Sequence, residues 1–204
     1  MDYKEFIKKL YKELKKKYGR PGGQCKLWCK RPKTEKEREE VIIGAILTQR
    51  TNWKNVELAI SNLKSAKLNS LKDIYESKPK KLAFLIKPSG FYKTKAQYLL
   101  NLAKFIIKDY GGLERMKKVE LKELREKLLK LKGIGPETAD SILLYALDKP
   151  IFVIDEYTRR LVKDYNFADR ADYHFLQKLF EENLRKDYCL YQDFHALIVI
   201  NGKN

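Results

Sequence analysis

The run Leu131-Lys132-Gly133-Ile134-Gly135-Pro136-Glu137-Thr138-Ala139-Asp140 constrains this chain more than any other stretch. Two glycines flanking one apolar residue specify a tight turn between helices, because glycine enters left-handed backbone without a steric penalty. Pro136 fits the first position of the second helix, where its missing N–H is not needed. Leu124, Leu128 and Leu131 line one helical face before the turn, and Ala139, Ile142 and Leu143 line another after it. Helices so patterned pack closely, and only small residues fit their corner. The amides of residues 133–135 are expected to point outward at the start of the second helix, an arrangement that binds phosphate. Taken alone, Gly-x-Gly is more often an ordinary helix connection, so the surrounding residues decide.

Charge supplies the first of those surroundings. Lys and Arg number 44 against 27 Asp and Glu, giving a net charge of +17 and a pI near 9.6. Nucleic acid is the partner such an excess implies. A Lys- and Glu-rich surface is also a habit of proteins from hot environments, which would explain the charge density but not its imbalance. With 204 residues, 44% of them apolar, the chain can form one large domain or two small ones sharing a core. No apolar run approaches the roughly 20 residues of a membrane helix. The start, Met1-Asp2-Tyr3-Lys4-Glu5, has no apolar signal core, so a cytoplasmic protein without a membrane partner is expected. Cys25, Cys29 and Cys189 are odd in number and expected to be reduced. Cys25 and Cys29 could supply half a metal site, but with only Cys189 and two His elsewhere no metal centre is expected.

Nearly every periodic segment reads as helix, and strand alternation is almost absent. Phe6, Leu10 and Leu14 share a face of residues 3–18, which end at Gly19-Arg20-Pro21-Gly22-Gly23. Residues 25–34 read as a loop carrying Trp28. Residues 39–47 are apolar on all sides and should form a buried helix that ends in the polar turn Thr48-Gln49-Arg50-Thr51-Asn52. Further helices are predicted over residues 53–63, 71–77, 79–85, 95–110, 121–130, 155–165, 172–184 and 194–200, with a loop at residues 87–92. The expected fold is all-α.

Four segments in this order, Gly44-Ala45-Ile46-Leu47-Thr48-Gln49, Ser89-Gly90-Phe91-Tyr92-Lys93-Thr94-Lys95-Ala96, residues 131–139 and Val153-Ile154-Asp155, resemble the helix-hairpin-helix DNA glycosylases of the endonuclease III superfamily. The likeness spans nearly the whole chain, and four motifs in register are far more specific than any one. It implies a two-lobed all-α fold with the active site between the lobes: residues 35–149 as a helical barrel-like domain, and residues 1–34 with 150–204 as the second. It implies double-stranded DNA containing a damaged base as the partner, and a monomeric protein. Gln49 would fill the hole left by an extruded base, and Phe91 would be the second wedge. Lys132, Gly133, Ile134 and Gly135 would hold the backbone, with a possible monovalent cation at the hairpin. Asp155 would be catalytic.

Two departures refine the resemblance. Bifunctional members carry a nucleophilic Lys two residues after the second hairpin glycine; here Glu137 stands there, and a carboxylate cannot form a Schiff base. The chain is therefore most similar to the endonuclease-III-like 3-methyladenine glycosylases, whose Gly-Ile-Gly hairpin, Ser-Gly-Phe-Tyr loop and Trp-bearing N-terminal loop it shares. Many relatives follow the equivalent of Phe194-His195-Ala196-Leu197 with a four-Cys loop holding an iron–sulfur cluster. These 204 residues contain no such loop, and no cluster is expected in them.

The chemistry fits that implication. Breaking a base–sugar bond leaves positive charge on the sugar, which a buried carboxylate stabilises while orienting water. Asp155, after the apolar run Ile151-Phe152-Val153-Ile154, can do this, although an Asp at a helix start is also an ordinary N-cap. Alkylated purines are cationic good leaving groups that aromatic faces attract, and Trp28, Tyr92 and Glu137 are the expected pocket residues. Trp53 is expected in the core or beside the Gln49 turn. An oxidised or deaminated substrate, with or without strand cleavage, and a non-catalytic DNA-binding module remain as alternatives at this point.

Overall fold

In the computed structural model, which describes residues 2–203, helices follow one another as α1 (Tyr3–Tyr18), α2 (Cys25–Trp28), α3 (Glu35–Leu47), α4 (Trp53–Ser65), α5 (Leu71–Glu76), α6 (Pro79–Leu85), α7 (Tyr92–Lys104), α8 (Leu113–Lys118), α9 (Leu121–Leu129), α10 (Pro136–Ser141), α11 (Glu156–Asp164), α12 (Tyr173–Asn183) and α13 (Tyr188–Asn201). Wider π-helical turns continue α7 over Phe105–Asp109 and α10 over Ile142–Ala146. Among the described residues there is no strand, and no helix is long and apolar enough to cross a membrane.

Contacts divide the chain into two units, Pro32–Ile142 and the combined segments before and after it. Each is organised by a helix buried on nearly every side. In Pro32–Ile142 that helix is α3, whose Val41, Ile42, Ile46 and Leu47 are all at 0% exposure and which packs on α4, α7 and α10. In the other unit it is α13, whose Phe194, Leu197 and Ile198 are equally buried and which packs on α1 and α11. Each side chain of this size contributes about 1.5–3 kcal/mol when removed from water, so these two helices anchor the folding of their units.

Helix starts follow side-chain chemistry. Thr34 and Glu37 form a reciprocal capping box, which is why α3 begins at Glu35 and not at residue 39 as periodicity suggested. Asp187 accepts from the Cys189 and Leu190 amides, so α13 begins six residues before residue 194. The expected 25–34 loop contains the single turn α2, and the expected 87–92 loop contains a 3-10 turn at Lys87–Ser89 and the first residue of α7. Helix α8 escaped the periodicity reading because only Leu113 and Met116 anchor it between Gly112 and Val119.

Candidate functional site

Within Pro32–Ile142, α9 and α10 form the two arms of the glycine turn. Leu124, Leu128, Ala139 and Ile142 are fully buried. Arg125 clamps the arms by a bidentate ion pair, its Nε 2.7 Å and its Nη2 3.0 Å from the carboxylate oxygens of Asp140, whose side chain has no exposure. The two glycines answer different needs. Gly133 has φ +90°, and a Cβ there would lie 2.3 Å from ring atoms of Tyr98 on α7, so conformation and space both demand glycine. Gly135 has φ −89° and nothing within 4 Å of where a Cβ would stand. It is exposed at the N-cap of α10, with no side chain over it.

The turn after α3 is tied directly to this hairpin. Gln49 Nε2 donates to the Gly133 carbonyl at 2.9 Å and to Thr138 Oγ1 at 3.0 Å. Next to it, exposed Arg50 has left-handed backbone at φ +50°. A second left-handed residue, Phe91 at φ +46°, caps α7 without any side-chain cap bond, and its ring is 65% exposed. An exposed aromatic on strained backbone gains nothing for folding, which marks the position as a candidate for function. Beneath both turns lies Lys95, whose Nζ donates to the Leu47 and Ser89 carbonyls at 2.7 Å each.

In the other unit, residues 151–154 run buried and outside any helix into Asp155. The backbone of Phe152 is satisfied by side chains of α12: Glu181 accepts its N–H at 2.7 Å, and Gln177 Nε2 donates to its carbonyl at 2.7 Å. Its ring stacks on Phe180, with centroids 4.5 Å apart and 8° between planes. This anchoring delivers Asp155 to the N-cap of α11, where Oδ1 accepts from the Thr158 amide at 2.8 Å and its hydroxyl at 3.0 Å. Oδ2 lies 3.4 Å from His195 Nε2 of α13. His195 Nδ1 in turn is 2.7 Å from the hydroxyl of Tyr145, and the Tyr145 and Trp28 rings meet at 66° with centroids 5.2 Å apart. Asp155, His195, Tyr145 and Trp28 thus form one connected series.

The electrostatics of that series favour a fixed negative charge. Burial alone would raise the Asp155 carboxyl, but the adjacent His195 and the two Thr158 donors outweigh it and hold the carboxyl below the usual carboxylate range. Burial keeps Tyr145 protonated, reinforced by the Asp155 and Asp193 carboxylates. Its hydroxyl can donate to Nδ1 of a neutral His195, or accept from a protonated one while donating to the Gln192 carbonyl at 3.3 Å. A carboxylate repels a bare ring lone pair, so either arrangement turns the Nε2 hydrogen toward Asp155. Nε2 has no well-directed hydrogen bond, and its effect on the carboxylate is chiefly that of charge.

Of the residues singled out from sequence, Trp28 joins the series around Asp155, while Gln49, Ile134, Gly133 and Gly135 come together at the hairpin. Ile134 is buried; Lys132 is exposed beside the turn. Tyr92, half-buried in the first turn of α7, and Glu137, exposed in the first turn of α10, belong to Pro32–Ile142 and not to the unit carrying Asp155. Trp53 opens α4 with its indole donating to Glu57 at 2.9 Å. The cysteines are free thiols, and burial raises Cys25 to about 11. Among the described residues no three potential metal ligands come together. Sequence reasoning missed Tyr145, His195, Lys95, Thr138 and Tyr98. A signal existed for two of these: His195 interrupts an apolar helix, and Lys95 occupies a core position one turn before Leu99.

Comparison with known proteins supplies relatives. Residues 43–186 match the HhH-GPD superfamily of base excision DNA repair proteins. A Methanocaldococcus jannaschii protein named as a candidate DNA repair glycosylase is 45% identical over 202 residues, covering 98% of this chain and 88% of that protein. The crystal structure of H. pylori 3-methyladenine DNA glycosylase bound to 1,N6-ethenoadenine aligns at a TM-score of 0.80 with 34% identity, covering 100% of this chain and 98% of that one. A non-covalent endonuclease III–DNA complex aligns at 0.73 with 22% identity over 97% of this chain and 85% of that one, a likeness of fold.

Proposed function

The chain belongs to the HhH-GPD superfamily of base excision DNA repair proteins, and from that premise we propose that this DNA N-glycosylase is monofunctional and releases alkylated purines flipped from duplex DNA. The observation that carries the reading is Asp155, held ionised at a helix N-cap in series with His195, Tyr145 and Trp28. As the C1′–N bond breaks, its electron pair leaves with the base and positive charge develops on the sugar. The Asp155 carboxylate stabilises that charge, orients the water that attacks C1′ and accepts the proton that water loses, leaving an abasic site. A cationic alkylpurine leaves without strong acid assistance, and the Trp28 face attracts it. The resemblance to a 3-methyladenine glycosylase along the full chain supports this substrate class. Glu137 at the position where lyase members carry an amine supports hydrolysis.

Flipping costs a few kcal/mol in lost stacking, which entry of Phe91 and Gln49 into the duplex offsets. The Gly135 amide and exposed Lys132 hold the adjacent phosphates. At the turn, the Leu131 carbonyl accepts the Ile134 amide and the Gly133 carbonyl accepts Gln49. Each oxygen keeps one lone pair, which fits a loosely held monovalent cation; it would only help neutralise phosphate.

One observation favours a lyase as the second reading. Burial lowers the Lys203 ammonium below the ordinary lysine value, although Cys25 and Asp155 act against it, a direction that favours the amine form a Schiff base needs. The test is base release from duplexes containing 3-methyladenine, ethenoadenine, oxoguanine, uracil or a thymine mismatch, with borohydride trapping on abasic DNA in parallel. Alkylpurine release with poor trapping is expected. Efficient trapping that disappears in Lys203→Met would establish the lyase instead, and release confined to oxoguanine or uracil would reassign the substrate.

A further inference from the structure

Lys95 is 2% exposed and occupies the buried stripe of α7 with Leu99 and Leu102. A leucine or methionine would fit that stripe with no charge to bury, whereas a buried ammonium must be taken out of water. Burial pulls its pKa down to about 8. Its partners explain why a charged donor is kept there. Leu47, the last residue of α3, lies two positions before Gln49, and Ser89, the last residue of the 3-10 turn, lies two positions before Phe91. The Lys95 amide also binds the Phe91 carbonyl at 2.9 Å. One residue therefore holds both turns: its side chain bonds the carbonyl two positions before Gln49 and the one two positions before Phe91, and its amide bonds Phe91 itself.

We propose that Lys95 is a positioning residue that locks the Gln49 and Phe91 turns into a single rigid insertion device, so that filling the vacated stack and wedging the strands occur as one event. This rests on the reading that Gln49 and Phe91 enter DNA. Two turns on separate flexible segments would each lose conformational freedom on entering the duplex; turns braced through one ammonium have already lost it in the free protein. The brace predicts coupling: once Lys95 is replaced, removing the Gln49 side chain costs less than it does in the native protein.

The test uses the full chain and a duplex holding a non-cleavable abasic analogue opposite 2-aminopurine, whose fluorescence rises when neighbouring stacking is broken. Base release plays no part in this readout. Lys95→Met should lose most of the rise while its affinity at low salt stays within about threefold, since phosphate contacts dominate affinity. Lys95→Gln, which can still donate to one or both carbonyls, should recover part of it; it also carries the test if Lys95→Met does not fold. Gln49→Ala in the Lys95→Met background should add less than in the native background. A full rise in a folded Lys95→Met protein, or strict additivity with Gln49→Ala, would overturn the proposal. Absence of alkylpurine release with a full, Lys95-dependent rise would instead count against the proposed substrate and leave the brace standing.

Discussion

The two units solve opposite problems around similar centres. Both are built on a helix buried on nearly every side, α3 in one and α13 in the other. Pro32–Ile142 then displays backbone and strain at its surface: an exposed Gly135 with no side chain over it, left-handed Arg50 and Phe91, and an aromatic ring facing solvent. The other unit hides its chemistry, with Asp155 at 13% side-chain exposure and His195 at 8%. Handling a polyanion needs donors that the ligand can reach without displacing side chains. Stabilising a sugar cation needs a charge whose surroundings are dry and already oriented, because such charges act far more strongly there than in water. The difference teaches that an exposed, strained feature and a buried, pre-oriented charge can both mark function.

The sharpest way to break this division lies at the hairpin. Gly133→Ala places a methyl group against the Tyr98 ring at a positive φ, so a loss of about 2–4 kcal/mol is expected in chemical denaturation, with DNA affinity falling too. An unchanged unfolding midpoint would show that the hairpin is not rigidly packed.

Next in size is His195→Gln, expected to slow base release about ten- to a hundredfold without altering duplex affinity. The pH profile gives the stricter check. The Asp155 carboxyl titrates below its unfolded value, so its contribution to stability is present above the ordinary carboxylate range and is lost as pH falls through the depressed folded value. The acid limb of base release should follow the same ionisation. Without His195 that limb moves to higher pH; a limb that stays in place would mean that the imidazole does not act on Asp155.

Phe91→Ala should reduce release from duplex about tenfold, with a smaller effect on a lesion already unpaired, since only the former needs a wedge. Equal losses on both substrates would recast Phe91 as a pocket residue. The smallest effect is expected for Gly135→Ala, within about 0.5 kcal/mol in stability because nothing in the protein meets the added methyl. Its DNA affinity should nevertheless fall, which would separate the ligand-facing glycine from the packing one.

Much of this was legible in the residues. The all-α class and the glycine turn were readable because glycine and proline state backbone geometry directly. The Asp155 N-cap was readable for the same local reason. His195, Tyr145 and Lys95 were not, because their partners lie far along the chain: 195 meets 155 and 145, and 95 meets 47 and 89. Spacing along a helix says that a position is buried, but only the fold says which carbonyl or ring waits there. Gln49 shows the converse. Its place in a turn was legible, but its side-chain bonds to Gly133 and Thr138 were not.

The central claim is that Asp155 performs chemistry in addition to capping α11. Asp155→Asn tests it most directly, because the amide keeps the size and one cap-accepting oxygen but removes the charge. Single-turnover base release, duplex affinity and melting temperature should be measured together. Release should fall at least about a thousandfold, equivalent to some 4 kcal/mol of barrier, with affinity and melting little changed. A folded variant releasing base at the native rate would reduce Asp155 to a helix cap and contradict the account.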